Sequence, residues 1–166
     1  KESEGKETSR DVIALMDRVG KIPRMYVAAT RQNDGKTTSC IGLMSVLASR
    51  FEKVGFIKPV GQRYVERDGH RIDADAVLMR EIYRCDAALP DMSPIAVDRH
   101  FTRRYLDDPT PHELEETIRR AFDRVAKGND MVVVEGTGHA GVGSVFDMDN
   151  AHVARLLAAP TIIVSC

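Results

Sequence analysis

Short apolar runs recur along the chain, and longer stretches with helical spacing or polar turns separate them. Residues 25–29 form an apolar β-like run that breaks into a polar turn at 30–34, and residues 40–51 then read as a helix. In residues 53–60, Val54, Phe56 and Ile57 predict a second short strand, ended near Pro59. Residues 61–71 are polar, contain Asp68-Gly69 and read as a loop. Residues 73–84 have helical composition, with Val77, Leu78 and Ile82 apolar. Residues 86–109 hold Pro90, Pro94 and Pro109 and read as loop with short helical pieces.

The plainest helix is predicted over 110–127. Thr110 is a candidate cap, Pro111 suits the first helical position and Glu113 completes a capping box. Leu114, Ile118, Phe122 and Val125 fall on one stripe, and Gly128 ends it. Residues 130–135 read as a buried strand, 136–144 as a glycine-rich loop, 149–159 as a helix and 161–165 as a further buried strand. Before all of these, residues 1–8 look loosely held. A helix is expected over 9–19, with Ser9 as its cap, Val12, Met16 and Val19 on one stripe and Gly20 at its end. Continuous apolar strands alternating with helices predict an α/β protein whose parallel sheet is covered on both faces. Such sheets take ligands at the carboxyl ends of their strands. The division expected is a tail and helix over 1–24 and one domain over 25–166. The apolar run that closes the sequence reads as a buried strand cut from a longer polypeptide, the alternative being an edge strand at a natural end.

One stretch of this pattern carries chemistry. The run at 25–29 and its turn lead into Gly35, Lys36, Thr37 and Thr38, and then into a helix. Strand, turn, Gly-Lys-Thr, helix is the order of a phosphate-binding loop, in which unpaired backbone N–H groups at a helix start face phosphate oxygens. Gly35 lets the backbone approach a ligand. Lys36 supplies a cation for the β- and γ-phosphates, and the Thr37 hydroxyl suits magnesium. The first glycine of the general pattern falls at position 30, which is Thr30.

Composition narrows the partners. The 166 residues carry a net charge of −1, so no basic field recruits nucleic acid or an anionic membrane surface. No apolar run approaches the ~18 residues of a membrane span. Cys40, Cys85 and Cys166 are odd in number and far apart, which fits a reducing, cytoplasmic setting better than a disulfide framework or a zinc site.

Further candidates stand at other strand ends. Glu135 ends the run at 131–134, where an acid can help hold magnesium, and the loop after it holds Gly136, Gly138, Gly141 and Gly143. His139 in that loop is a proton carrier, a hydrogen-bond donor to phosphate or a solvent-facing residue. Lys58, just before Pro59, is either a solvated strand-end lysine or a cation aimed at the crevice of Lys36. Asp73 and Asp75 begin a helix, where the dipole favours acids; one of them is a candidate second metal-site carboxylate. Arg99, His100, Arg103, Arg104 and Tyr105 form a basic-aromatic cluster that reads either as a solvated loop or as a surface for an anionic substrate or a partner.

The ordered set TRQNDGKTT, FIKPVG with DADAVLMRE, and VVVEGTGHAG resembles the dethiobiotin synthetase-like branch of P-loop proteins. That branch includes dethiobiotin synthetase, the cobyrinic acid a,c-diamide synthases and the amino-terminal domain of long phosphate acetyltransferases, to which the likeness is greatest. The resemblance implies a P-loop NTPase fold of α/β class, here a truncated three-layer sandwich. It implies ATP and Mg2+ as cofactors, with Asp34, Gly35, Lys36, Thr37 and Thr38 holding the nucleotide. Thr37, Asp75 and Glu135 would hold the metal, and Lys36 and Lys58 would act on the reacting groups, Lys58 facing a carboxylate or carbamate. The reaction implied is ATP-dependent phosphorylation of that small-molecule oxyanion followed by amine attack, as in a C–N ligase. The alternative is a non-catalytic, nucleotide-binding regulatory module of a phosphotransacetylase-like protein; a non-binding structural relic is the third reading. A homodimer and a downstream domain are expected by the same likeness. Arg31 and Gln32 stand where the synthetase has an Asp-Thr pair, and Gly-Thr-Gly-His follows Glu135 in place of Gly-Ala-Gly-Gly.

Overall fold

The computed structural model describes residues 22–32, 34–98, 100–138 and 143–165. The tail and helix expected before residue 20, together with Arg99, His139, Gly141 and Cys166, lie outside the described residues.

The central sheet has four parallel strands in the order β2-β7-β1-β8. They are β1 (Arg24–Ala29), β2 (Val54–Ile57), β7 (Met131–Glu135) and β8 (Thr161–Val164). The apolar runs predicted every one of them. β7 is buried along its whole length, as a central strand packed on both faces must be. Side-chain alternation separates the two faces. Arg24 and Tyr26 of β1 point one way. The Arg24 guanidinium lies 4.6 Å from the Phe122 ring centroid of α5 (Pro111–Ala126), and the Tyr26 hydroxyl donates to Asn150 of α6 (Asn150–Leu156). On the opposite face, α1 (Lys36–Ala48) packs against β1 and β7, and α2 (Ala74–Tyr83) packs beside it on β2. Tyr83 joins these two helices by donating its hydroxyl to the Ile41 carbonyl at 2.5 Å. Helices on both faces of a parallel sheet are the α/β arrangement that the sequence predicts.

The long helix α5 buries Ile118, Ala121, Phe122, Val125 and Ala126, which follow its predicted stripe. Each large apolar side chain removed from water here contributes about 1.5–3 kcal/mol. Its start differs from expectation. Thr110 makes no side-chain cap hydrogen bond, so the predicted capping box does not form; Pro111 at the first position and Glu113 in the first turn remain favourable. Asp149 does cap α6, accepting from the His152 N–H at 2.9 Å.

Residues 61–71 also differ from the predicted loop. β3 (Val60–Gly61) pairs in parallel with β6 (Ile95–Ala96), and β4 (Tyr64–Arg67) pairs antiparallel with β5 (His70–Asp73). Asp68 and Gly69 form the two-residue turn between β4 and β5, at φ 50° and 76°. Two successive positive φ values are what a hairpin turn of matching twist requires, and Asp-Gly is its common sequence. The short helical pieces expected between 86 and 109 are α3 (Leu89–Met92) and α4 (Phe101–Asp107).

β8 corrects another expectation. It was predicted as a buried strand, but Ile162 and Ile163 are 42% and 66% exposed. Among the described residues it pairs only with β1, so it is an edge strand.

Candidate functional site

Strand register assembles the site. Val27 of β1 lies opposite Glu135, and Ile57 of β2 lies opposite Val134. The residue after Ile57, Lys58, is therefore level with Glu135 at the carboxyl end of the sheet. The turn after β1 starts α1 on the same side. Gly35, at φ 83°, precedes the helix in a left-handed conformation that favours glycine. Thr30, at the place of the expected glycine, donates its hydroxyl to Asp34 at 2.9 Å, and the Arg31 N–H donates to the same carboxylate oxygen at 2.9 Å. A side-chain tether thus shapes this turn.

A cavity of about 230 Å³ opens where these ends meet. Gly35, Lys36, Thr37, Thr38, Lys58, Asp75 and Glu135 all line it, so the structure gathers the predicted residues except Asp34, whose carboxylate turns back onto the loop. Asp73, Gln62, Arg63, Thr137 and Gly138 line it too. Of these, Gln62, Arg63 and Thr137 are not among the residues that the sequence singles out, whereas Gly138 belongs to the glycine loop it marks for close ligand approach. Arg63 and Gln62 belong to the stretch read as loop, and Thr137 sits among glycines that drew attention to the backbone instead.

Lys58 is the electrostatic centre. Its side chain is 9% exposed, and its ammonium lies 3.2 Å from Asp73, 3.3 Å from Glu135 and in direct contact with Asp75. Burial alone would favour the neutral amine, but Glu135, Asp73 and Asp75 together outweigh it and raise the pKa above the ordinary lysine value. Of the two readings left open by sequence, the structure places this lysine in the crevice. Asp75 is pushed up by burial, yet Lys58 and then Arg63 prevail and hold it below the usual carboxylate range. Glu135 goes the other way: burial raises it above that range, opposed by Lys58 and reinforced by Asp75. Asp73, fully buried, has a structural duty besides, because its Oδ1 caps α2 by accepting from the Asp75 N–H at 3.0 Å.

Lys36 is buried and donates to the Gly138 carbonyl at 2.5 Å. Desolvation lowers its pKa, with Glu135 opposing and Lys58 adding to the effect. The Thr37 hydroxyl donates to Glu135 Oε1 at 3.0 Å. Cys40, one turn further along α1, is fully buried near Glu135; burial first, and that carboxylate second, push its thiol far above the ordinary range.

A hard divalent cation fits this donor set. Among the described residues Glu135 Oε2 is buried with no hydrogen-bond partner, and such a carboxylate oxygen beside a threonine hydroxyl and a second acid suits an ion that takes few protein ligands and keeps its waters. Among the described residues no group of three His, Cys, Asp or Glu forms a ready cage, because the Lys58 ammonium stands between the acids.

Comparison with known proteins agrees with this architecture. The chain is 31% identical over 140 residues to the phosphate acetyltransferase of Pseudomonas putida, covering 84% of this chain and 19% of that protein. It is 25% identical over 114 residues to the ATP-dependent dethiobiotin synthetase of Thermodesulfovibrio yellowstonii, covering 68% of this chain and 48% of that one. With the hydrogenobyrinate a,c-diamide synthase of Streptomyces coelicolor it shares 31% identity over 148 residues, 86% of this chain and 24% of the relative. The chain thus spans about a fifth of the phosphate acetyltransferase, 19% of its length. The profile of the AAA domain family matches residues 23–166, so the strands, loop and charged cavity described above all lie inside the match. The chain belongs to that family, which includes the dethiobiotin synthetase-like P-loop proteins.

Proposed function

We propose that this domain binds magnesium-ATP by its triphosphate and uses it to phosphorylate a carboxylate or carbamate, as an ATP-dependent C–N ligase. The observation that carries the reading is the meeting of Lys36, Thr37, Lys58, Asp75 and Glu135 around one polar cavity. Gly35, Lys36, Thr37 and Thr38 would receive the phosphates. Thr37, Glu135 and Asp75 would hold the magnesium, which when bound offsets charge on the phosphoryl oxygens. Lys36 and Lys58 present two cations to the developing negative charge. Lys58 in addition faces the acceptor oxyanion and orients it. Arg63, 72% exposed by its side chain, gives the mouth of the cavity a further positive group. Among the described residues the lining is polar or small, which suits phosphate and carboxylate oxygens. The setting proposed is cytoplasmic, with a homodimer and a downstream domain in the same polypeptide.

A second reading rests on the phosphate acetyltransferase relative, of which this chain spans 19%. There the domain would bind nucleotide as a regulatory module and transfer nothing. Calorimetry with ATP, with and without magnesium, tests what both readings share. Heat is expected from the wild type and none from Lys36→Ala; equal binding by the two removes the nucleotide assignment. Glu135→Gln should blunt the dependence on magnesium. ATP turnover against a panel of small carboxylates and amines separates the readings: stimulated turnover supports the ligase, and tight binding without it supports regulation.

A further inference from the structure

Two buried side-chain oxygens have no hydrogen-bond partner among the described residues, Glu135 Oε2 and Thr137 Oγ1. Both residues line the same cavity, two positions apart on one segment. The donor set accounts for the first. The second is unexplained: Thr137 is 3% exposed, and a hydroxyl sealed from water without a partner is costly to a fold.

The backbone that carries this hydroxyl is firmly held. The Thr137 N–H donates to Asn150 Oδ1 at 3.0 Å, and Asn150 Nδ2 donates to the Thr137 carbonyl at 3.1 Å. The buried Tyr26 hydroxyl donates to that same Asn150 oxygen at 2.8 Å. Gly136 makes the close approach possible, since a Cβ there would lie 2.5 Å from Asn150 Oδ1. The next residue, Gly138, accepts from the Lys36 ammonium. Thr137 is thus fixed at the Lys36 end of the cavity, away from Arg63, which reaches Asp75 at the other side. A valine would fill nearly the same volume with no stranded oxygen.

We propose that Thr137 is a ligand-binding residue whose hydroxyl donates to an oxygen of the terminal phosphoryl group of a nucleoside triphosphate lying beside Lys36. This rests on the nucleotide reading above and adds a contact to it. Among the described residues this donor has no partner, and a phosphoryl oxygen held beside Lys36 would bring it an acceptor.

The test is calorimetric titration of the protein with a non-hydrolysable ATP analogue and with ADP, both with magnesium, beside thermal melting without ligand. Thr137→Val should weaken the analogue about tenfold, as loss of a hydrogen bond to a charged group does, and leave ADP unchanged. Thr137→Ser should restore the analogue's affinity. Ligand-free Thr137→Val should melt at or above the wild type, because it removes an unpaired polar group. Wild-type affinity for the analogue in Thr137→Val, while Lys36→Ala loses binding, overturns the proposal and leaves the nucleotide reading standing. Equal weakening of ADP and analogue, or a clear fall in melting temperature, overturns it as well, by showing that the hydroxyl serves another contact. A wild type that binds neither nucleotide removes both ideas.

Discussion

Lys58 shows how one side chain can hold a site open and together at once. Three buried carboxylates converge on its ammonium, and without it they would face one another in a poorly solvated space. Lys58→Met should therefore destabilise the ligand-free protein by about 3–5 kcal/mol, the range for breaking a buried ion pair from one side. Thermal melts should also show that magnesium restores part of the loss, since a divalent cation can take up the charge the lysine leaves. Unchanged stability in Lys58→Met would mean that the acids are already compensated by other means. The sequence left this residue between two readings because nothing local distinguishes a solvated lysine from a buried one. The pairing of β2 with β7, which brings Lys58 level with Glu135, is a long-range fact. Gly35, Lys36 and Thr37 were legible because their spacing is local. By the same local spacing Asp34 is an expected nucleotide contact, and its carboxylate also accepts from Thr30 and Arg31.

Among the elements, the β4–β5 hairpin and α4 are tied by one acid. Asp98 accepts from the Arg71 guanidinium at 2.5 Å, from Arg104 at 3.2 Å and from the His100 N–H at 2.8 Å. What burial it has pushes the carboxyl up, but the His100 N–H, then Arg104 and Arg71, outweigh this and bring it down to about 2. The folded value lies below the unfolded one, near 3.9. Its contribution is therefore complete above that pH and is lost as pH falls towards about 2. Asp98→Asn should melt lower than the wild type near neutrality, and the gap should close as the pH falls through that window. A gap that stays constant down to the lowest pH would show that the charge is not what joins these elements. The hairpin itself escaped the sequence because its strands lack an alternating apolar face: Glu66, Arg67, His70 and Arg71 are all exposed. The Asp-Gly turn was visible, but a turn without flanking alternation reads as loop. α5 was legible to within a residue or so at each end because five of its residues bury on one stripe. Its cap was misread because a Thr-x-x-Glu pattern states an opportunity that the chain entering the helix need not take.

At the scale of the molecule, the parallel α/β order followed from the apolar runs, whose continuity reflects burial on both faces. Burial of the last run did not follow, because a strand's surroundings depend on what pairs beside it. β8 exposes Ile162 and Ile163, and among the described residues nothing pairs with its outer side; an apolar edge of that kind is a template for further strands. The 166-residue chain should self-associate as concentration rises, and Ile163→Lys should suppress this in sedimentation experiments without lowering the melting temperature. Mass that is independent of concentration in both proteins would show that the edge is inert.

The alignment of β2 on β7 has one more consequence. Consecutive side chains of a strand emerge on opposite sides, so a slip of one position would turn Lys58 away from the acids, leaving Asp75 with Arg63 alone and taking the Lys58 cation from Asp73 and Glu135. A misthreaded chain is thereby penalised at the same spot where a correctly threaded one becomes able to grip its ligand. Competence to bind would then serve as an internal inspection of the fold, passed only when distant parts of the polypeptide have met in the right step.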